Sequence, residues 1–228
     1  MRAIPSILML LVFACGTSFL FGQKSKSVEP SYFTSLKVVG KVELDAQQGD
    51  DNILELEGVG ISLDKVQVST SKGELKIKVS PLVGRHYYVK AKLTYTSLEK
   101  IHASAGADIQ IQDVIKGEYL ELHAGSGAEI DLEAEATEIY QRAGEGAYIN
   151  ISGTAEKAEI KASTGGGVYG DDFEAGTVLA KVSTGGEVSI QVKDYLDVHS
   201  STGGEFVYAG NPEKMHTESS LGGTIIRE

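Results

Sequence analysis

The stretches KASTGGGVYG (Lys161–Gly170), KVSTGGEVSI (Lys181–Ile190) and SSTGGEFVYA (Ser200–Ala209) say nearly the same thing three times, about twenty residues apart. Taking the first Gly of each STGG phrase as a marker and extending the alignment both ways gives seven copies. They are marked by Gly106, Gly127, Gly146, Gly165, Gly185, Gly203 and Gly222, at spacings of 21, 19, 19, 20, 18 and 19 residues. A period near twenty is the mark of a solenoid, in which each coil buries its apolar face only when the next coil stacks on it.

The columns of the alignment carry this reading. Three residues after each marker stand Ile109, Ile130, Ile149, Val168, Val188, Phe206 and Ile225. Five before it stand Ile101, Leu122, Gln141, Ile160, Ala180, Val198 and Thr217. Apolar and polar residues alternate around these columns, which is the period of a strand. Each coil therefore carries at least two short strands joined at a Gly-rich corner. Ala103, Ala124, Ala143, Ala162, Val182, Ser200 and Ser219 supply small side chains just before that corner. A meander of ordinary hairpins would explain the alternation but not the alignment of columns. The STGG phrase is thus corner chemistry. It is not a phosphate loop, since neither a helix pattern nor a Lys-Ser/Thr pair follows it.

The fold expected is all-β: a single-domain β-solenoid of about seven coils of 18–21 residues with an irregular N-terminal β cap. The 27 Gly and the lack of Trp in 228 residues suit it. Residues 1–22, with Arg2 ahead of a mostly apolar run, read as a signal peptide; the run is shorter than the ~20 residues a membrane-spanning helix needs. Residues 23–32 read as a linker. Residues 33–228 form the solenoid domain: an N-terminal β segment over 33–98, with runs such as LKVVGKVELDA and GELKIKVS, then the repeat coils over 99–228. Cys15, the one cysteine, follows bulky Phe13 and precedes further apolar residues, a poor lipoprotein site, so the exported chain has no thiol and no disulfide. No transmembrane anchor is expected after the signal is removed.

The formal charge is −11. Such a field repels nucleic acid. Against it stands one outward column, four residues before each marker: His102, His123, Arg142, Lys161, Lys181, His199 and Glu218. Like charges stacked ~4.8 Å apart repel. Acidic neighbours offer a first explanation: Glu121, Glu159 and Asp197 on one side, and Asp108, Glu129, Glu187 and Glu205 beyond the corner, would neutralise the stripe on a solvated face. The second explanation is a linear track for an anionic polymer such as an acidic glycan. The first six members, His102, His123, Arg142, Lys161, Lys181 and His199, are the candidate ligand contacts. His102 and His123 are one coil apart, but no third ligand is placed with them for a metal. Asp171-Asp172 belongs to a loop and matches no calcium pattern. No cofactor is expected.

For catalysis on a β-helix, two carboxylates, or a base with an Arg and a metal, would have to converge in a cleft. The acids here are dispersed over many columns and no long loop builds a cleft wall. Gln141, an amide in a mostly apolar inward column, is expected as a hydrogen-bonded core residue. The chain is read as no enzyme.

The order of motifs resembles a known family. A leader is followed by FTSLKVVGKVELDAQQGDDNILELEG, GELKIKV, LTYTSLEKIHASAGADIQI, GSGAEIDL, the STGG repeats and GNPEKMHTESSLGGTIIRE. It is similar, over about residues 33–226, to the "putative auto-transporter adhesin, head GIN domain" family, except that no outer-membrane barrel follows up to Glu228. The resemblance implies a β-solenoid-like domain exported by a Gram-negative bacterium, at the periplasm or outer cell surface, acting as a non-catalytic adhesin-like binding module. A partner could be an acidic glycan or an envelope or host surface protein. The alternatives are a periplasmic structural or protein-interaction scaffold and, third, a polysaccharide-cleaving enzyme. The family transfers no catalytic or binding residues.

Overall fold

The computed structural model of the protein describes residues 25–80 and 86–228. The leader expected over residues 1–22 lies outside them, with Cys15. The described chain is seventeen strands and one 3₁₀ turn, Leu63–Lys65. The N-terminal strands are β1 (Ser25–Val28), β2 (Ser35–Val39), β3 (Val42–Gln48), β4 (Ile53–Val59), β5 (Val66–Ser71), β6 (Glu74–Val79) and β7 (Tyr88–Tyr95). The coils follow as β8 (Lys100–Ser104), β9 (Asp108–Ile111), β10 (Ile115–Gly125), β11 (Glu129–Gly144), β12 (Tyr148–Ser163), β13 (Gly167–Ser183) and β14 (Glu187–Ser201). The last coil and its approach are β15 (Glu205–Gly210), β16 (Lys214–Ser220) and β17 (Thr224–Arg227).

Every pairing among the repeat strands is parallel, and the aligned columns are the observed register. Ile109, Ile130, Ile149, Val168, Val188 and Phe206 point inward and are buried. So are Ile101, Leu122, Ile160, Ala180 and Val198 of the other inward column. The chain is a β-solenoid, not a meander of hairpins.

The corner shows why the phrase recurs. Thr164 has φ 54° and Gly165 φ 69°; Thr184 with Gly185 and Thr202 with Gly203 do the same. Two successive left-handed residues make a type I′ turn. Its closing bond runs from the Gly166 N–H to the Ser163 carbonyl at 3.0 Å. The marker glycine also reaches across coils: the Gly165 N–H donates to the Thr184 carbonyl at 3.1 Å. The second glycine of each STGG answers a different need. A Cβ on Gly186 would sit 2.6 Å from the backbone carbonyl carbon of Ala162 in the coil before. The four letters therefore encode one tight turn and one close coil-to-coil contact.

Three features differ from expectation. The stretch read as a linker carries β1, which pairs antiparallel with β4. The N-terminal segment is more than a cap, because β2 and β3 form a further coil that enters the stack out of chain order. β2 lies between β6 and β8, and β3 between β7 and β9, all parallel. The antiparallel pairs β1–β4, β4–β7 and β5–β6 then close that end. Asp171 and Asp172 stand on a register shift inside β13 rather than in a loop.

Candidate ligand-binding face

The strands that precede the corner present one outward row in unbroken register. His102 pairs with His123, His123 with Arg142, Arg142 with Lys161, Lys161 with Lys181, and Lys181 with His199. All six candidates thus stand in a single ladder, which ends where His199 meets Glu218. The out-of-order coil lengthens it, since His102 also pairs with Lys37, and Lys37 with Lys76. Eight basic or imidazole side chains line up across eight strands. Sequence reasoning missed Lys37 and Lys76. Their signal was the repeated apolar-basic-apolar triplet: Leu36-Lys37-Val38 and Leu75-Lys76-Ile77 match Ile101-His102-Ala103. Only the stacking order reveals that the three belong together.

Acidic residues neutralise part of this row. Glu121 Oε2 lies 2.8 Å from Lys100 Nζ, and its Oε1 3.0 Å from His123 Nε2, the latter outside hydrogen-bond alignment. Lys161 Nζ is 2.9 Å from Glu159 Oε1, and His199 Nδ1 3.0 Å from Glu218 Oε2. Among the described residues no carboxylate comes within ion-pairing distance of Lys37, Lys76, Arg142 or Lys181. The carboxylates beyond the corner, Asp108, Glu129, Glu187 and Glu205, make no ion pair with the row. Their own crowding shows instead: burial, then Glu129, Asp131, Glu43 and Asp45, hold the Asp108 carboxyl above its usual range. The neutralisation expected from sequence is therefore partial. In the middle of the row Lys161 also lies over the Tyr140 ring, 5.0 Å from its centroid, and His123 is 5.5 Å from the same ring.

The two central imidazoles behave alike. Burial, then the neighbouring charges of Lys37 and His123, pushes the His102 pKa down. Burial does the same at His123, where Arg142 adds to it and Glu121 opposes it. A lowered folded pKa means that the unfolded chain takes protons first. The fold has its full stability from these groups above about pH 6.5 and loses it as pH falls below that value. No group of three or more His, Cys, Asp or Glu among the described residues is placed to hold a metal ion.

Residues 32–212 match the family described as "Putative auto-transporter adhesin, head GIN domain". The chain belongs to this family. Among curated proteins none shows significant similarity. Solved structures do, at the level of the fold. A "putative adhesin" from Bacteroides fragilis superimposes with a TM-score of 0.83 at 17% identity, covering 91% of this chain and 98% of that one. A "putative adhesin" from Parabacteroides merdae gives 0.73 at 16%, covering 92% and 97%. A "putative lipid binding protein" from Parabacteroides distasonis gives 0.72 at 18%, covering 92% and 98%. The head GIN family and these neighbours carry the names of adhesins or a binding protein, none of an enzyme. No helix among the described residues is long and apolar enough to cross a membrane.

Proposed function

We propose that this head GIN domain is an exported, non-catalytic envelope protein that binds an acidic polymer, an anionic glycan first, along its basic ladder. The observation that carries this reading is the run from Lys76 through Lys37, His102, His123, Arg142, Lys161 and Lys181 to His199, in register on a chain of net charge −11. Neighbouring like charges at ladder spacing repel, by at most about 1 kcal/mol each in water before screening by salt. The ladder contains three such pairs: Lys76–Lys37, Arg142–Lys161 and Lys161–Lys181. A polyanion lying along the solenoid axis would relieve all three at once.

The test is affinity for heparin and for polygalacturonate as a function of salt. Affinity should fall steeply as salt rises. In the variant Arg142→Glu/Lys161→Glu/Lys181→Glu it should fall by roughly a hundredfold at low salt, as expected for reversing three exposed charges. Acidification should tighten binding only once pH falls through the lowered pKa values of His102 and His123, below the ordinary imidazole range, where both add charge to the row; His102→Gln/His123→Gln should flatten that dependence. Unchanged affinity in the triple variant would remove the ladder from consideration.

The same reading puts the protein where a glycan can reach it. A non-permeant protease added to intact cells should clip it. Protection until the outer membrane is opened would direct the search to periplasmic partners instead.

A further inference from the structure

The strands that follow the corner form a face of opposite character. Its first outward column reads Glu43, Asp108, Glu129, Tyr148, Gly167, Glu187 and Glu205, and its second Asp45, Gln110, Asp131, Asn150, Tyr169, Ser189 and Val207. Acids dominate until β12 and β13, where Tyr148, Gly167 and Tyr169 interrupt them.

These three residues fit one another. The Tyr148 and Tyr169 ring centroids are 5.8 Å apart with planes 23° from parallel. At that separation near-parallel rings are offset, so together they present a surface broader than either. Gly167 is what lets Tyr169 lie there. A Cβ at Gly167 would fall 2.8 Å from the Tyr169 ring, and Gly167 is buried although it stands in an outward column. The Tyr169 hydroxyl donates to Glu187 Oε2 at 2.8 Å, which fixes the ring from its far end. On the other side the Asn150 amide donates to Glu129 Oε1, the ladder neighbour of Tyr148, and to Asp131 Oδ1, at 2.9 Å each, and ties the two carboxylates together. Tyr148 is nonetheless 40% exposed.

We infer that the Tyr148–Tyr169 pair, seated on Gly167 and bordered by Glu129, Asp131 and Glu187, is a second binding site, for a pyranose ring of an uncharged saccharide. Sites for small organic ligands combine flat apolar surface with a few fixed polar groups. A pyranose asks for that combination: its C–H face packs on the rings, and its hydroxyls donate to the bordering carboxylates. The charge of this face repels uronates and sulfated sugars. Two near-parallel, stacked rings enclose no space on several sides, so they offer a platform and not the cage that an ammonium group takes. The two faces of the solenoid would then read different parts of a surface: anionic polymer on one, neutral sugar on the other.

The experiment titrates the mature protein with neutral hexasaccharides of glucose, mannose, galactose, xylose and N-acetylglucosamine at millimolar concentrations. Isothermal titration calorimetry reads binding without relying on the ten tyrosines, one of which the test variant removes. At least one sugar should bind. Tyr148→Ala should weaken it by about tenfold. Gly167→Ala should weaken it comparably by pushing the Tyr169 ring aside, an adjustment confined to a side chain, which keeps the test valid should Tyr148→Ala unfold. Binding should be insensitive to salt and intact in Arg142→Glu/Lys161→Glu/Lys181→Glu, so the two sites fail or succeed separately. The proposal is overturned if no sugar binds, if both variants bind like the parent, or if tetramethylammonium displaces the sugar.

Discussion

Phe173→Ala should lower stability by about 3–5 kcal/mol, the range for emptying a buried aromatic site. Phe173 is fully buried and lies within the register shift that also leaves Asp171 and Asp172 exposed. Its cross-coil partner in the ladder is Gly153. Gly153 has no alternative there: its φ is 108°, and a Cβ would meet the Ala134 carbonyl oxygen at 2.1 Å. The backbone on the Gly153 side therefore has little freedom to collapse into the void. On the other side Gly170 is also close, with its would-be Cβ 3.2 Å from Phe173 Cβ. For a domain of this size the loss corresponds to roughly 10 °C in thermal midpoint. Urea unfolding followed by circular dichroism measures it. A loss under about 1 kcal/mol would mean that the bend repacks without its aromatic plug.

The second large effect has the opposite sign. Gln141→Leu should stabilise the protein by about 1–3 kcal/mol. Gln141 is fully buried between Leu122 and Ile160 in its ladder, and among the described residues neither Oε1 nor Nε2 has a hydrogen-bond partner. The expectation of a hydrogen-bonded core amide is thus half met: the residue is in the core, but the bond is missing. Its ladder neighbours, Leu122 and Ile160, are aliphatic and offer no side-chain acceptor or donor. Ser200, the other buried polar residue among the described residues, does solve this problem, since its hydroxyl donates to the Gly204 carbonyl at 2.8 Å across its own corner. Gln141 finds no such carbonyl among the described residues. Leu fills a similar volume without the polar atoms. The midpoint in urea should rise with an unchanged slope; a drop in stability would show that the amide earns its place through an interaction unseen in the fold.

The coils were legible because a parallel solenoid converts local spacing into three-dimensional contact. When each coil lies on its chain neighbour, residues about twenty apart must touch, and the columns of Ile109 through Ile225 can be aligned from sequence alone. The Gly-rich corner was legible for a related reason, since its glycine recurs at a fixed place in each coil; that a left-handed Thr precedes the Gly in a type I′ turn was shown only by the backbone. The ladder from His102 to His199 followed directly. What escaped was non-local. β2 and β3 break the chain order, inserting next to strands far along the sequence, so no fixed period points to them. Lys37 and Lys76 were invisible as ladder members on that account. Salt-bridge geometry escaped as well, because whether Glu121 or Asp108 can reach the row depends on which side of the corner each side chain leaves from.

The sequence by itself determined the coil, its corner and the facing of each column, since these follow from side-chain alternation and backbone sterics within about twenty residues. Only the tertiary structure decided the length of the basic ladder, the want of a partner for Gln141, and the meeting of Tyr148 with Tyr169 over Gly167. Each of those depends on side-chain direction and on contacts between strands, which periodicity does not encode.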